Sequence, residues 1–144
     1  MKPEDKLLLL QDLSARLPYK VCINDRGTPH RLVNICWDGI KFVVNCSPFG
    51  TGHGHMGTPL FDGDICYIKP YLRPMSSMTE EEKKEYQSLC EIHFDNDADA
   101  NFMVYYFDTF ESFDWLNKNM FDYRDLIPKN LAIEVTEDNN PYKK

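Results

Sequence analysis

The sequence lacks a long run of apolar residues. The longest run near its start is Leu7-Leu8-Leu9-Leu10, far short of the ~18–20 residues that a membrane span needs. A secretion signal is not expected either, because Glu4 and Asp5 stand where such a signal carries positive charge. A chain of 144 residues suits one domain. We therefore expect a single soluble domain in the cytoplasm, with no membrane partner.

Paired cysteines are also missing. The five cysteines form no CxxC motif, and neighbouring cysteines lie at least 10 residues apart. A zinc knuckle needs ligands only a few residues apart. An odd number of cysteines without a secretion signal indicates reduced thiols. The sequence therefore predicts no disulfide framework, no cysteine-based zinc site and no cofactor.

Positive charge is scarce: 16 Lys and Arg face 23 Asp and Glu, a net charge of −7. A protein that binds bulk nucleic acid needs a basic surface, so that function is disfavoured. The imbalance lies in the second half, where residues 76–144 hold 7 basic and 16 acidic side chains. These acids alternate with Tyr and Phe. Such a surface either keeps the protein soluble or attracts a basic partner.

Helical spacing of leucines predicts a first helix over about residues 3–16, which Pro18 ends. Apolar alternation then predicts strands, and Asp38-Gly39 is a strong signal for a two-residue hairpin turn. The predicted strands cover residues 19–24, 30–37, 40–46 and 64–69. The predicted hairpin register places three apolar pairs on one face: Trp37 with Ile40, Ile35 with Phe42, and Val33 with Val44.

The second half opens with a proline-rich segment, residues 70–74, which favours an extended surface connector. Thr79 and Glu82 form a capping box that predicts a helix to about His93. The remaining predicted elements are a strand over 101–107, a helix over 109–119 with Phe110, Phe113 and Leu116 inward, and an edge strand over 131–135.

This order of elements predicts an α+β fold over residues 1–137. The fold comprises an N-terminal helix, an antiparallel β-meander that forms a small open barrel or a twisted sheet, two further helices and a C-terminal edge strand. Residues 138–144 are polar, so we expect a frayed tail.

The segment 49–59 holds four of the seven glycines and two of the four histidines, His53 and His55. Glycines allow close approach to a ligand, and two histidines in alternate positions are weak candidates for metal ligands. Three interpretations stay open: a hairpin connection with solvated histidines, a ligand or partner contact, and a metal site. Residues 95–101 begin like a calcium loop, but Ala100 and Tyr106 replace its required Gly and Glu. We therefore expect no tight calcium site there.

Nine aromatic residues crowd into residues 102–123, and one strand and one short helix cannot bury every ring. We predict that Tyr105 and Trp115 are partly exposed beside Asp108, Glu111 and Asp114. Exposed aromatic rings among polar groups are typical of contact surfaces. The alternative is a strand that is covered on both faces.

Five segments carry a resemblance to a known family. They are the opening segment, KLLLLQDL (6–13) through LPY (17–19), then KPYLRPMSSMTEEE (69–82), FDWLN (113–117), FDYRDLI (121–127) and LAIE (131–134). In these segments the chain resembles a family of small uncharacterised proteins encoded in gut-bacterial genomes, prophages and mobile elements. The resemblance implies no particular activity. Its genetic context favours a small accessory protein, such as an inhibitor or a sequestering protein.

Two functional hypotheses follow. The first is a non-enzymatic protein that binds a protein partner through its acidic, aromatic surface. The second is a small-ligand-binding protein or an enzyme with its site at the loop 49–59. No catalytic residues can be assigned, because the sequence shows no nucleophile–base motif.

Overall fold

A computed structural model describes residues 1–37, 39–48, 61–96 and 102–143. Its helices are α1 (Pro3–Arg16), α2 (Glu80–Leu89) and α3 (Phe110–Lys118). Its strands are β1 (Cys22–Asp25), β2 (Thr28–Trp37), β3 (Phe42–Pro48), β4 (Phe61–Asp64), β5 (Ile68–Pro74), β6 (Glu91–Asn96), β7 (Phe102–Phe107), β8 (Phe121–Asp122) and β9 (Ile133–Glu134). The α+β prediction is confirmed.

Seven of the strands form one mixed sheet. Its order is β4-β3-β2-β1-β5-β8, and β9 also pairs with β5. The pairs of β5 with β8 and β9 are parallel, and the other pairs are antiparallel. The sheet is not closed among the described strands, and β4 and β8 lie at its ends. None of the described helices is long and apolar enough to cross a membrane.

The first helix is confirmed, but of the leucines whose spacing predicts its inner face, Leu13 is buried and Leu7 is exposed. Pro3 stands at its first turn, where a missing N–H costs nothing, and Glu4 and Asp5 favour its positive end. Leu9 and Leu13 are fully buried in the main core. That core also receives Ile23 from β1 and neighbouring strand residues.

The predicted hairpin register is wrong by two residues. Trp37 pairs with Phe42 and Ile35 with Val44, so four residues of the chain separate the paired strand ends instead of two. An irregularity between Leu32 and Asn34 shifts the ladder again. The irregularity turns Leu32 instead of Val33 into the core, where it joins Val44 and Cys46 of β3. Val33, Trp37 and Ile40 are exposed.

The proline-rich segment is a strand and not a surface connector. Pro70, Tyr71 and Leu72 of β5 are buried within the sheet. Prolines fit here because no neighbour pairs along the whole strand: β1 covers its start, β9 its middle and β8 its end. The predicted strand 64–69 is divided, since the Asp64 side chain caps a 3₁₀ turn over Ile65–Tyr67 that separates β4 from β5.

The capping box of α2 is confirmed, with both reciprocal hydrogen bonds between Thr79 and Glu82. The helix ends at Leu89, however, and the chain continues as β6, which places His93 on a strand. The C-terminal edge strand is confirmed only over Ile133–Glu134.

The predicted fraying of residues 138–144 is contradicted at Tyr142. Its hydroxyl donates to the carbonyl of Tyr71 (2.8 Å) and accepts from the amide of Cys22 (3.1 Å). Its ring packs against the main core. The tail therefore docks on the sheet, because one aromatic residue among polar ones is enough to anchor it.

Candidate interaction surface

Strands β6 and β7 form a separate two-stranded ribbon, which we call the arm. Its six residue pairs run from Glu91–Phe107 to Asn96–Phe102, and among the described residues neither strand pairs with the main sheet. The base of the arm is held between two helices: the Thr109 hydroxyl donates to the Leu89 carbonyl at 2.7 Å. An isolated two-stranded ribbon is marginally stable in water. The pairing of β6 with β7 alone therefore does not account for the stability of the arm.

One face of the arm is apolar. Directly paired residues of an antiparallel ladder share a face, so Ile92 lies beside Tyr106 and Phe94 beside Val104. Phe102 completes this face, and its ring lies 5.4 Å from that of Phe94. These five side chains are each between 42% and 64% exposed. We call them the apolar face; an exposed apolar patch of this kind on a protein surface is often functional.

The opposite face alternates acids with aromatic and apolar residues, and we call it the mixed face. Its pairs are Glu91–Phe107, His93–Tyr105 and Asp95–Met103. The His93 ring meets the Phe107 ring edge-on at 4.8 Å, and its Nε2 lies 3.1 Å from a Glu91 carboxylate oxygen. All the charged side chains described on the arm therefore lie on this face.

The outer side of α3 continues the aromatic character. Phe110 is 85% exposed, and Phe113 lies one turn further along beside Asp114. Since Phe107 and Phe110 are three residues apart, their Cα atoms lie within about 11 Å. Residues 91–114 contain seven acids and no Lys or Arg. We call the mixed face together with Phe110, Glu111 and Phe113 the acidic-aromatic surface.

Two of the predicted contact residues have partners within the chain. Asp108 accepts a hydrogen bond from the Tyr86 hydroxyl, and Asp114 accepts one from the Tyr19 hydroxyl. Burial and the Asp108 carboxylate raise the pKa of Tyr86. The hydrogen bond to Asp114 raises the pKa of Tyr19. Both acids thus fasten α3 and the base of the arm, although their side chains remain exposed.

Of the two rings predicted to be partly exposed, the structure exposes only one. Tyr105 is 39% exposed on the mixed face, as predicted, and Glu111 is also exposed. Trp115 is only 9% exposed: its ring stacks on Phe121 at 5.6 Å and lies 5.9 Å from Tyr86. The inner side of α3 is formed by Ser112, Trp115, Leu116 and Asn117, so Phe110 and Phe113, predicted to point inward, point outward instead.

The loop 49–59, with His53 and His55, lies outside the described residues, as do residues 97–101 of the calcium-like segment. Within the part of the chain that the structure describes, no group of three or more His, Cys, Asp or Glu side chains is placed to hold a metal ion.

Sequence reasoning missed a buried ionic cluster. Arg16, at the end of α1, is fully buried and makes two hydrogen bonds of 2.9 Å to the Asp12 carboxylate. It also donates to the Phe121 carbonyl at 2.6 Å, while Arg124 adds a further bond of 3.1 Å to Asp12. The spacing of Asp12 and Arg16, four residues apart, was the available signal. The cluster joins α1 to the segment that follows α3.

A surface cavity of about 430 Å³ lies between α3 and the C-terminal segment, lined partly by Tyr19, Arg73, Lys118 and Tyr142. Arg73 is held by Glu82 through two hydrogen bonds of 2.9 and 3.0 Å. These bonds lower the pKa of Glu82, so the pair is ionised at neutral pH. Because Tyr19 and Tyr142 also have partners in the chain, the polar side chains of this cavity mostly serve the fold.

Comparisons of the chain with protein-family models, with curated proteins and with solved structures find no match.

Proposed function

We propose that this protein acts by binding a partner protein with a basic surface, through the acidic-aromatic surface. The observation that supports the proposal is the exposure of Phe110, Phe113 and Tyr105 within a stretch that has seven acids and no Lys or Arg. Exposed aromatic rings supply most of the binding energy at such interfaces. Surrounding acids accelerate the encounter with a basic partner and select against acidic ones.

The acids of this region have two different roles. Asp108 and Asp114 already bind tyrosine hydroxyls, so they hold the surface in shape. Glu91, Asp95 and Glu111 are exposed and lie where they can face a partner. Phe110, the most exposed aromatic residue of α3, is the expected anchor, because its ring becomes desolvated only in a complex.

In this proposal the protein is an accessory of a phage or mobile element, and it inhibits or sequesters a host component. The resemblance described above supports this context. A small binding protein needs no cofactor to act in this way.

The test is affinity capture from cells of the native host, with tagged wild type compared against tagged variants by quantitative mass spectrometry. Phe110→Ala should abolish retention of the partner while leaving the thermal midpoint unchanged. Ile40→Ala is the matched control, because Ile40 is 86% exposed on the β2–β3 turn and should retain the partner fully. A set of captured proteins that is the same for both variants would rule out this surface.

A charge reversal tests the electrostatic part. Glu111→Lys on α3 should weaken capture and reduce its dependence on salt, whereas Glu81→Lys on α2 should change little. Both residues are exposed acids in the first turn of a helix, so their effects on folding should be alike. Equal losses from both would show that net charge, and not this surface, attracts the partner.

A further inference from the structure

We propose that the apolar face of the arm is the dimer interface of this protein, and that it packs against the same face of a second copy. The face consists of Ile92, Phe94, Phe102, Val104 and Tyr106. This inference concerns the face opposite to the acidic-aromatic surface, so it does not rest on the proposed function.

The area of the face suits such an interface. Three of the five side chains are aromatic, a class that presents ~150–250 Å² each, and about half of each of the five is exposed. The face therefore offers on the order of 500 Å² per copy. Two copies would bury on the order of 1,000 Å², which is about the least that a biological interface should bury and is typical of the smaller, weaker interfaces.

Charge favours a second copy over a basic foreign partner as the occupant. The chain carries −7, so two copies repel one another wherever their acidic surfaces approach. The apolar face has no charged side chain, because Glu91 and Asp95 point to the mixed face. Contact between two apolar faces thus keeps the arm's described acids on the outside. A basic foreign partner would instead be drawn to the mixed face.

Geometry supports the same arrangement. Two twisted ribbons packed face to face at ~10 Å form a small two-layer sandwich, in which each ribbon covers the other. The contact is self-complementary, as a two-fold interface requires. It also stabilises an arm that would be marginal by itself, since a single ribbon buries little apolar area.

The interface leaves the mixed face open, because its side chains point away from the apolar face. Tyr105 and Phe107 therefore remain available in the dimer. Each dimer would present two copies of the mixed face.

The experiment is sedimentation equilibrium of the full chain at concentrations up to about 100 µM, a range that detects micromolar association. Wild type should be a dimer. Phe94→Asp, on the apolar face, should weaken dimerisation by about 30-fold or more, the loss typical of an interface anchor. His93→Asp is the matched control: it is the next residue of the same strand, faces the other way, and should leave the dimer intact.

A second pair of variants is included in case Phe94→Asp fails to fold. Val104→Lys should dissociate the dimer, and its neighbour Tyr105→Lys should not. Monomeric wild type, larger assemblies, or equal effects from the two faces would each overturn the proposal. If the dimer is confirmed but Phe110→Ala captures the same proteins as wild type, the proposed function fails and this inference stands.

Discussion

Replacing Arg16 by Met should destabilise this protein more than most single substitutions, even though Arg16 contacts no proposed partner surface. Its guanidinium makes two bonds to Asp12 and a third to the Phe121 carbonyl. The carbonyls of Leu116 and Asn117 lie at 3.4 Å from its Nη1. Met matches the length of the arginine stem but offers no donor, so these acceptors lose their partner without a large cavity forming.

The expected loss of unfolding free energy follows from the burial of the ion pair. Removing one partner of a buried ion pair costs ~3–5 kcal/mol, because the remaining charge stays away from water. Asp12 keeps its bond to Arg124, which places the expected loss near the lower end, about 3–4 kcal/mol. A domain of this size is stable by roughly 7–20 kcal/mol. The variant should therefore fold, with a clearly lowered urea midpoint.

Urea unfolding followed by circular dichroism measures this loss, and Arg124→Met is the control. Arg124 is partly exposed, and its removal leaves both Arg16–Asp12 bonds in place, so about 1 kcal/mol is expected. The reasoning is refuted if Arg16→Met loses less than about 1 kcal/mol, or if both variants lose the same amount.

Three further predictions concern stability. Arg73 lowers the pKa of Glu82 below 4.5, so the stabilisation from this pair is full above that pH and is lost as the pH falls. Glu82→Gln should therefore cost ~0.5–1 kcal/mol at pH 7, and its difference from wild type in urea titrations should shrink below pH 4.5. Trp115→Ala should cost ~3–5 kcal/mol and Tyr105→Ala at most ~1 kcal/mol, and thermal melts that rank them the other way would contradict the assigned burial. Tyr142→Phe should cost ~1–3 kcal/mol in urea unfolding, because two backbone groups lose the hydroxyl between them; no loss would mean that the tail does not dock.

Features set by neighbouring residues were predictable from the sequence. The first helix follows from its leucine spacing and from the proline at its first turn. The α2 cap follows from Thr79 and Glu82, whose reciprocal bonds join residues three apart. In each case the deciding interactions lie within one or two helical turns, so they can be read without knowledge of the rest of the fold.

Features set by distant residues were not predictable. The residues Asp38-Gly39 favour a two-residue turn, but Trp37 pairs with Phe42, two positions beyond the predicted partner. The irregularity between Leu32 and Asn34, which turns Leu32 into the core, has no local sequence signal either. Nothing local marks Pro70 as part of a buried strand, since its strand partner is Ile23 of β1. The docking of Tyr142 depends on backbone groups 71 and 120 residues away.

The residue types of the candidate surface could be predicted from the sequence, but which of its side chains are exposed could be predicted only in part. Crowding of rings in residues 102–123 required some of them to be exposed, and Tyr105 is. The choice of Trp115 was wrong because its helix turns that side toward Phe121. The separation of an apolar face from a mixed face needed the pairing of β6 with β7, and the first half of β6, residues 91–93, was predicted to be helical.

The ionic cluster around Arg16 has a consequence for synthesis of the chain. The carbonyls that accept its hydrogen bonds belong to residues 100 to 105 positions later. A ribosome adding ~5–20 residues per second needs about 5–20 s to produce them. Until then, closing α1 onto the growing sheet would bury a guanidinium without these acceptors. The nascent chain should therefore keep its first helix undocked, and the sheet should become protease-resistant only after residue 121 has left the exit tunnel.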